Sequence, residues 1–366
     1  MAMSQGESPS PQLKVTVLEV ARLAGVSMAT VSNVLNRPNV VAAATKSRVL
    51  AAMQQLNFVP NSAARQLAAG RSRAIGLVVL DLTNPFFLEV ARGVEDVASS
   101  AGYVVILFNS ADSRDRETRS LSVLREQRVS GVLLSPVAAR TELVEQMRAE
   151  GTRVVLLDRR GAATGECSVS VDDVLGGQAA GEHLIATGRR SLAFVRGGRH
   201  VRQYNDRERG IRSALRGAGL DDRSLVVLHE EMSVSGGEHA GERILREFAN
   251  VDAVVCGNDT IAAGVERALL KAAVRVPDDV ALVGYDDVPL AKLITVPLTS
   301  MQQPMYEMGR SAAQLLLDEI EDSDHVHKRV SFNPSLVARS SSVGRPAKST
   351  RRPGGAAKAI ATHANG

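Results

Sequence analysis

A chain of 366 residues, 44% of them hydrophobic, is long enough for two or three domains with large cores. It contains no run of about 18 apolar residues, and the opening MAMSQGESPSPQ lacks the charged start and apolar stretch of an export signal. Neither a membrane span nor secretion is expected, and the cytoplasm is the expected compartment. The net charge of +4 is unevenly spread: residues 1–71 carry seven basic side chains against Glu7 and Glu19, residues 345–366 carry five and no acid, and the stretch between is net acidic. A basic head on an acidic body places polyanion contact at the head. The two cysteines, Cys167 and Cys256, sit in no CxxC and beside no paired histidine in sequence, so two reduced thiols are expected, with no disulfide and no metal site.

Residues 1–14 read as a disordered arm, and the first elements follow in TVLEVARLAGVSMATVSNVLN at 16–36. Val17, Val20, Ala21 and Ala24 recur at helical spacing, so a helix is expected from Val17 to Ala24. Gly25 stands where a helix end wants a left-handed residue. Ser27 is a natural N-cap for a second helix over Met28–Leu35, whose buried face carries Val31 and Val34 or Leu35. Small Ala21 at the crossing, Gly25 in the turn and Val31 packing back make a helix-turn-helix. A third helix over Thr45–Leu56, with Val49, Leu50, Met53 and Leu56 on one side, completes a domain spanning 15–60. No Ser or Thr precedes it; Ala42 holds the capping place, which predicts a frayed start. Next, Pro60 breaks the chain, Asn61 can cap, and Ser62–Ala69 is a short Ala-rich helix inside a 61–71 linker, too short to be stable without a partner.

From residue 72 to 344, apolar β-branched runs alternate with helical stretches. Strands are expected at Ile75–Leu80, Val104–Phe108, Val132–Leu134, Val154–Leu157, Leu192–Val195, Leu225–Leu228, Ala253–Cys256 and Val280–Val283. The intervening helices include Phe86–Ser100, Thr141–Ala149, Gly177–Thr187, Arg207–Gly217, Ala240–Phe248 and Ile261–Ala273. This is an α/β pattern of parallel sheets covered by helices on both faces, and its length suits two sheets better than one. Ligands in such sheets sit beyond the strands' C-terminal ends. Asp81, Asn84, Asp158, Asn258, Asp259, Asp286 and Asp287 all follow predicted strands, and Arg207 opens a helix. Carboxylates, amides and a guanidinium together suit a polyhydroxylated ligand. Asp259 reads as a helix cap instead. Aromatic residues are only 3% and Trp is absent, so the stacking surface a sugar ring favours is thin, and a sugar, a nucleobase and a phosphorylated metabolite stay open on this basis.

The pieces VARLAGVSMATVSNVLN, LNFVPNSAARQLAAGRS and IGLVVLDLTNPFF, with GND at 257–259, GYDD at 284–287 and QQPMYEMG at 302–309, resemble the lactose-repressor/galactose-repressor family. The resemblance covers nearly the whole chain except its ends. It implies a helix-turn-helix head, a hinge helix and a periplasmic-binding-protein-like body, with lobe one at about 72–170 and 299–327 and lobe two at about 171–298 and 328–344. It implies effector contacts at Phe87, Asp158, Arg207, Asn258 and Asp286. On the DNA side it places base contacts at Met28, Ala29 and Asn33, where the family more commonly has polar residues and an arginine. Thr30 and Ser32 would meet phosphates, and Thr16, Ser27, Asn36 and Asn61 complete the DNA-facing set. Ala64 and Leu67 match the hinge residues that enter the minor groove, Leu67 as an apolar wedge.

A sequence-specific repressor is therefore expected, bound as a homodimer to a pseudo-palindromic DNA operator and controlled by a small effector such as a sugar. Twofold symmetry follows from energetics: one short recognition helix offers few base contacts of about 1–3 kcal/mol each, while specific binding needs roughly 4–10 kcal/mol over nonspecific. No catalytic residue or cofactor is expected, since GxSxG, Walker and HExxH motifs are missing and GGQAAG at 176–181 matches a dinucleotide fingerprint poorly. The rivals are a sugar-binding protein with the same body and an α/β enzyme; residues 15–70 argue against the first. The basic tail at 345–366 reads as disordered and carries no heptad pattern for a tetramer.

Overall fold

The computed structural model describes residues 15–58, 72–137, 142–159, 165–198, 200–322 and 324–343, with Asn36 and Pro38 as backbone only. The predicted helix at Ser62–Ala69, with Asn61, Ala64 and Leu67, lies outside the described residues, as do the arm and the tail. The chain divides into two compact units, one running to Ala74 and including Arg128–Ser130, the other holding the rest.

Among the described residues the head holds three α-helices, α1 (Val17–Ala24), α2 (Met28–Asn36) and α3 (Ala43–Gln55). Thr16 opens α1 through a reciprocal capping box with Glu19, and Gly25 closes it at φ +63°, a left-handed turn that glycine adopts without strain. Ser27 caps α2 by accepting from the Thr30 amide at 3.1 Å. Val20, Ala21, Ala24, Val31, Val34, Val49, Ala52 and Met53 form the core, with Leu35 and Leu56 packed at its edge. Leu50 departs from expectation: it is 47% exposed, because the inward face of α3 runs through 49, 52, 53 and 56, leaving position 50 a quarter-turn outside. Ala42 does begin α3, with no side-chain cap.

The body contains two six-stranded sheets. The first lobe is built from β1 (Ala74–Val79), α4 (Pro85–Ser100), β2 (Val104–Asn109), α5 (Arg114–Glu126), β3 (Gly131–Leu134), α6 (Glu142–Ala149), β4 (Arg153–Leu157) and β5 (Ser168–Val171). The second takes α7 (Asp173–Ala186), β6 (Leu192–Arg196), α8 (Arg202–Gly217), β7 (Val226–His229), α9 (Val234–Glu247), β8 (Ala253–Cys256), α10 (Asp259–Lys271), β9 (Ala281–Asp286), α11 (Leu290–Leu293) and β10 (Thr299–Gln302). The chain then returns through α12 (Met305–Glu321) and β11 (Arg329–Phe332) to the first lobe and ends with β12 (Ser335–Val337) in the second. Strand order is β11-β5-β4-β3-β1-β2 in one sheet and β12-β10-β9-β8-β6-β7 in the other. Parallel pairing runs through both, but β12 pairs antiparallel with β10, Ser300 opposite Val337.

Two boundaries differ from those expected. Residues 299–302 belong to the second sheet, where Thr299 pairs with Val283, and residues 329–332 belong to the first, where Arg329 pairs with Ser168. Each crossing comes a few residues later than expected, because a strand completes a sheet before the chain changes lobe. The short strands Ser-Val-Ser-Val, Thr-Ser-Met-Gln and Arg-Val-Ser-Phe carry too few apolar residues to stand out in sequence.

Glycines set the helix packing around these sheets. A β-carbon at Gly177 would lie 2.1 Å from the Arg207 carbonyl oxygen, and one at Gly210 would lie 2.1 Å from that of Val174, so α7 and α8 touch backbone to backbone. The same reciprocal arrangement joins α9 to α10 through Gly237 and Gly264, and α4 to α12 through Gly93 and Gly309. The GGQAAG run thus serves close helix packing.

Candidate functional site

In the head, α2 presents its N-terminal turn to solvent. Met28 is 54% exposed, and Ser27, Ala29 and Asn33 are exposed beside it, with Ser32 and Thr30 half-buried. The Thr30 and Ser27 hydroxyls bond each other at 2.9 Å, fixing that turn. Thr16 is exposed at the start of α1, its hydroxyl bonded to Glu19. The Asn36 side chain lies outside the described residues. No acidic residue occupies the first turn of α2, so its free amides and positive dipole end meet no opposing charge there.

In the body, a cavity of about 730 Å³ opens where the strand ends of both sheets converge, and Phe87, Asp158, Arg207, Asn258 and Asp286 all line it. Each comes from a different element. Phe87 lies in the first turn of α4, edge-on to Phe86 with ring centroids 4.9 Å apart. Asp158 and Asp286 stand at the ends of β4 and β9 with φ of +53° and +100°. Such backbone costs on the order of 1–3 kcal/mol and concentrates at functional sites.

Arg207 is the electrostatic centre. Its Nε donates to Asp173 Oδ1 at 2.7 Å, its Nη1 to the Gly257 carbonyl at 2.6 Å, and its guanidinium lies 3.5 Å from the Tyr285 ring centroid. Burial works against its charge, and Asp173, Tyr285 and Asp286 together outweigh burial, so its pKa is raised. One guanidinium cannot neutralise three buried carboxylates. Burial first, then Asp173, push Asp158 up to about 8, although Arg207 and Gln203 pull the other way. Burial pushes Asp286 up to about 6, with Arg207, Asn84 and Gln303 opposing it. Near neutral pH, Asp158 therefore carries a proton and offers a donor as well as an acceptor, while Asp286 is mainly an acceptor.

Several polar atoms await partners. Asn258 spends Oδ1 capping α10 through the Ile261 amide at 2.9 Å, which leaves Nδ2. Among the described residues, Asp158 Oδ1 and Gln303 Oε1 are buried without a hydrogen bond. Unmet buried acceptors are costly, about 1–3 kcal/mol each, and a ligand hydroxyl can relieve them. Two further contacts cross between lobes: Asn84 Nδ2 donates to Asp286 Oδ2 at 2.9 Å, and Gln203 Nε2 to Asp158 Oδ2 at 2.9 Å.

Other residues singled out in sequence have different work. Asp259 is not a cap; Asn258 is, and Asp259 accepts from Ser300 Oγ at 2.6 Å and the Val288 amide at 2.8 Å. Asp287 pairs with Arg339 at 2.6 Å. Asp81 folds onto Thr83, 2.9 Å from its amide, at the cavity rim. Gln203, Gln303 and Asp173 were not legible as site residues, since none follows a predicted strand. Cys256 is buried in the second lobe's core, as expected of an inert thiol. Cys167 has no histidine beside it in sequence, but the fold supplies one: His325 Nε2 lies 3.2 Å from its sulfur, brought there across 158 positions of sequence.

A helix-turn-helix head joined to a two-lobed body with a polar interlobe cavity defines a ligand-responsive DNA-binding regulator. The chain belongs to the lacI family of bacterial regulatory proteins: residues 16–61 match that family, and residues 182–342 match the periplasmic binding protein-like domain. It is 32% identical to the HTH-type transcriptional repressor PurR of Photobacterium profundum, over 89% of this chain and 98% of the relative. It is 34% identical to the ribose operon repressor of Escherichia coli, over 89% of this chain and 99% of the relative. The structure of the Lac repressor dimer bound to operator and the anti-inducer ONPF is 27% identical, with a TM-score of 0.79 over 90% of this chain and 100% of the other. Among the described residues, no single helix is long and apolar enough to cross a membrane.

Proposed function

We propose that this protein is a non-enzymatic, cytoplasmic transcriptional repressor that binds a pseudo-palindromic operator as a homodimer and releases or tightens its grip when a small polyhydroxylated effector, such as a sugar, enters the interlobe cavity. The observation that carries this reading is the joint presence of an exposed recognition helix and a buried, polar, partly unsatisfied cavity in one chain.

On DNA, Met28 and Ala29 would make apolar contacts, as with a thymine methyl, and Asn33 would pair bidentately with adenine. Thr16, Ser27, Thr30, Ser32, Asn36 and Asn61 would position the head on the backbone, and Ala64 and Leu67 would enter the minor groove. In the body, Phe87 supplies apolar surface, Arg207 and Asn258 donate, Asp286 accepts, and protonated Asp158 does both. A ligand there competes with or completes the Asn84–Asp286 and Gln203–Asp158 contacts, and so fixes the angle between lobes.

Coupling of this kind is typically 1–3 kcal/mol, or about 5–150-fold in affinity, and acts equally in both directions. The test is operator affinity by mobility shift at zero and saturating effector, with the effector first found by calorimetric screening of sugars. A change within that range, matched by the same factor in effector affinity when operator is present, is expected. Operator affinity indifferent to every ligand that fills the cavity would count against the regulatory half of the proposal.

A further inference from the structure

Outside the cavity, three stretches of chain bring four metal-binding side chains together in the first lobe. Cys167 stands immediately before β5, Glu319 lies in the last turn of α12, and His325 and His327 occupy the return segment before β11. The pairing of Arg329 with Ser168 sets that segment alongside Cys167. Residues two apart in an extended chain point to the same side, which suits the His-x-His spacing.

The geometry is close. Cys167 Sγ is 3.2 Å from His325 Nε2, and Glu319 Oε1 is 3.2 Å from His327 Nδ1. One donor atom from each of the four residues lies within 4.8 Å of every other. Around a tetrahedral zinc ion, with Zn–S near 2.3 Å and Zn–N or Zn–O near 2.0–2.1 Å, neighbouring donors are about 3.3–3.6 Å apart, so small side-chain adjustments complete the shell. The outer contacts agree: the Lys328 backbone N–H donates to Cys167 Sγ at 3.2 Å, the kind of bond that supports a ligating thiolate. Glu319 is buried, and among the described residues its ionic partner is His327. A buried carboxylate wants a cation. His327, 38% exposed, leaves the ion a way in.

We propose that Cys167, Glu319, His325 and His327 form a structural zinc(II) site. Binding would release the thiol proton to solvent; one thiolate, one carboxylate and two neutral imidazoles then balance the dication without net charge. The ion would tie the end of α12 and the return segment to β5. That segment leads into β11, after which the chain crosses to β12 in the second lobe, so the clamp would stiffen the first lobe's side of that crossing.

The test uses the full chain, reduced and stripped by chelator, titrated with cobalt(II) as a visible substitute and then with zinc(II). One cobalt per chain, with a thiolate-to-cobalt charge-transfer band displaced by zinc, is expected. The band should vanish in Cys167→Ser. Affinity should fall by more than the roughly 10–100-fold that loss of an outer-shell partner produces in the double variant His325→Gln/His327→Gln, while the distant His239→Gln changes nothing. Should Cys167→Ser fail to fold, the histidine pair decides. No thiolate band in the wild type, or cobalt binding that survives the double variant unchanged, would overturn the site.

Discussion

Asp158 carries the clearest pH signature. Its carboxyl ionises near 3.8 in an unfolded chain and near 8 in the cavity, where burial and Asp173 favour the neutral form. The folded protein therefore binds this proton more tightly than the unfolded chain does. Folding takes up a proton between those values, and stability falls as pH rises through that window. Asp286 adds the same trend over a narrower range, up to about 6. Asn mimics the protonated acid, so Asp158→Asn should raise Tm clearly at about pH 8.5 and by much less at about pH 5, near the foot of the window, each kcal/mol being worth roughly 2–4 °C. Equal shifts at both pH values, by differential scanning calorimetry, would mean that Asp158 titrates normally. Sequence could flag Asp158 and Asp286, because both follow apolar strands, but not their protonation. That depends on Asp173 and Arg207 arriving from α7 and α8, which only packing reveals.

At the scale of elements, the α7–α8 crossing positions the charge. Gly177 lets the backbone of α8 approach until Arg207 reaches Asp173. Gly177→Ala inserts a methyl group against the Arg207 carbonyl and should destabilise by about 1–3 kcal/mol while weakening effector binding. Gly217→Ala meets nothing within 4 Å and should instead stabilise slightly, by about 0.5–1 kcal/mol. Urea unfolding of the two variants separates a packing glycine from one that merely loosens a helix. In the head, Ala42→Ser supplies the missing cap of α3 and should add about 1 kcal/mol, seen as slower amide exchange in the first turn at Thr45 and Lys46; unchanged exchange would show that the turn is already held. Helix α1 was legible to the residue and α2 to within one residue at its end, because their caps, Thr16, Ser27 and Gly25, are local signals. The starts of α7, α8 and α9 lay earlier than expected, since Asp173, Arg202 and Val234 open those helices with polar or glycine-rich turns that break the apolar pattern. The polar strands at the lobe crossings were hidden for the same reason, since they carry too few apolar residues to make a pattern.

At the scale of the whole molecule, a basic reader and an acidic sensor share one chain. The division of charge was plain in the sequence, and the two-sheet body followed from alternating strands and helices. The metal-binding cluster was not, because its members lie in unrelated segments. Sequence-specific repression by this chain requires that α2 read bases in two symmetric half-sites. In vitro selection of duplexes by the wild-type protein and by Asn33→Arg tests this directly. The wild type should enrich an inverted repeat with adenine at one position of each half, and the variant should replace that base in both halves, toward guanine. Recovery of sequences without symmetry, or of the same bases by both proteins, would contradict it.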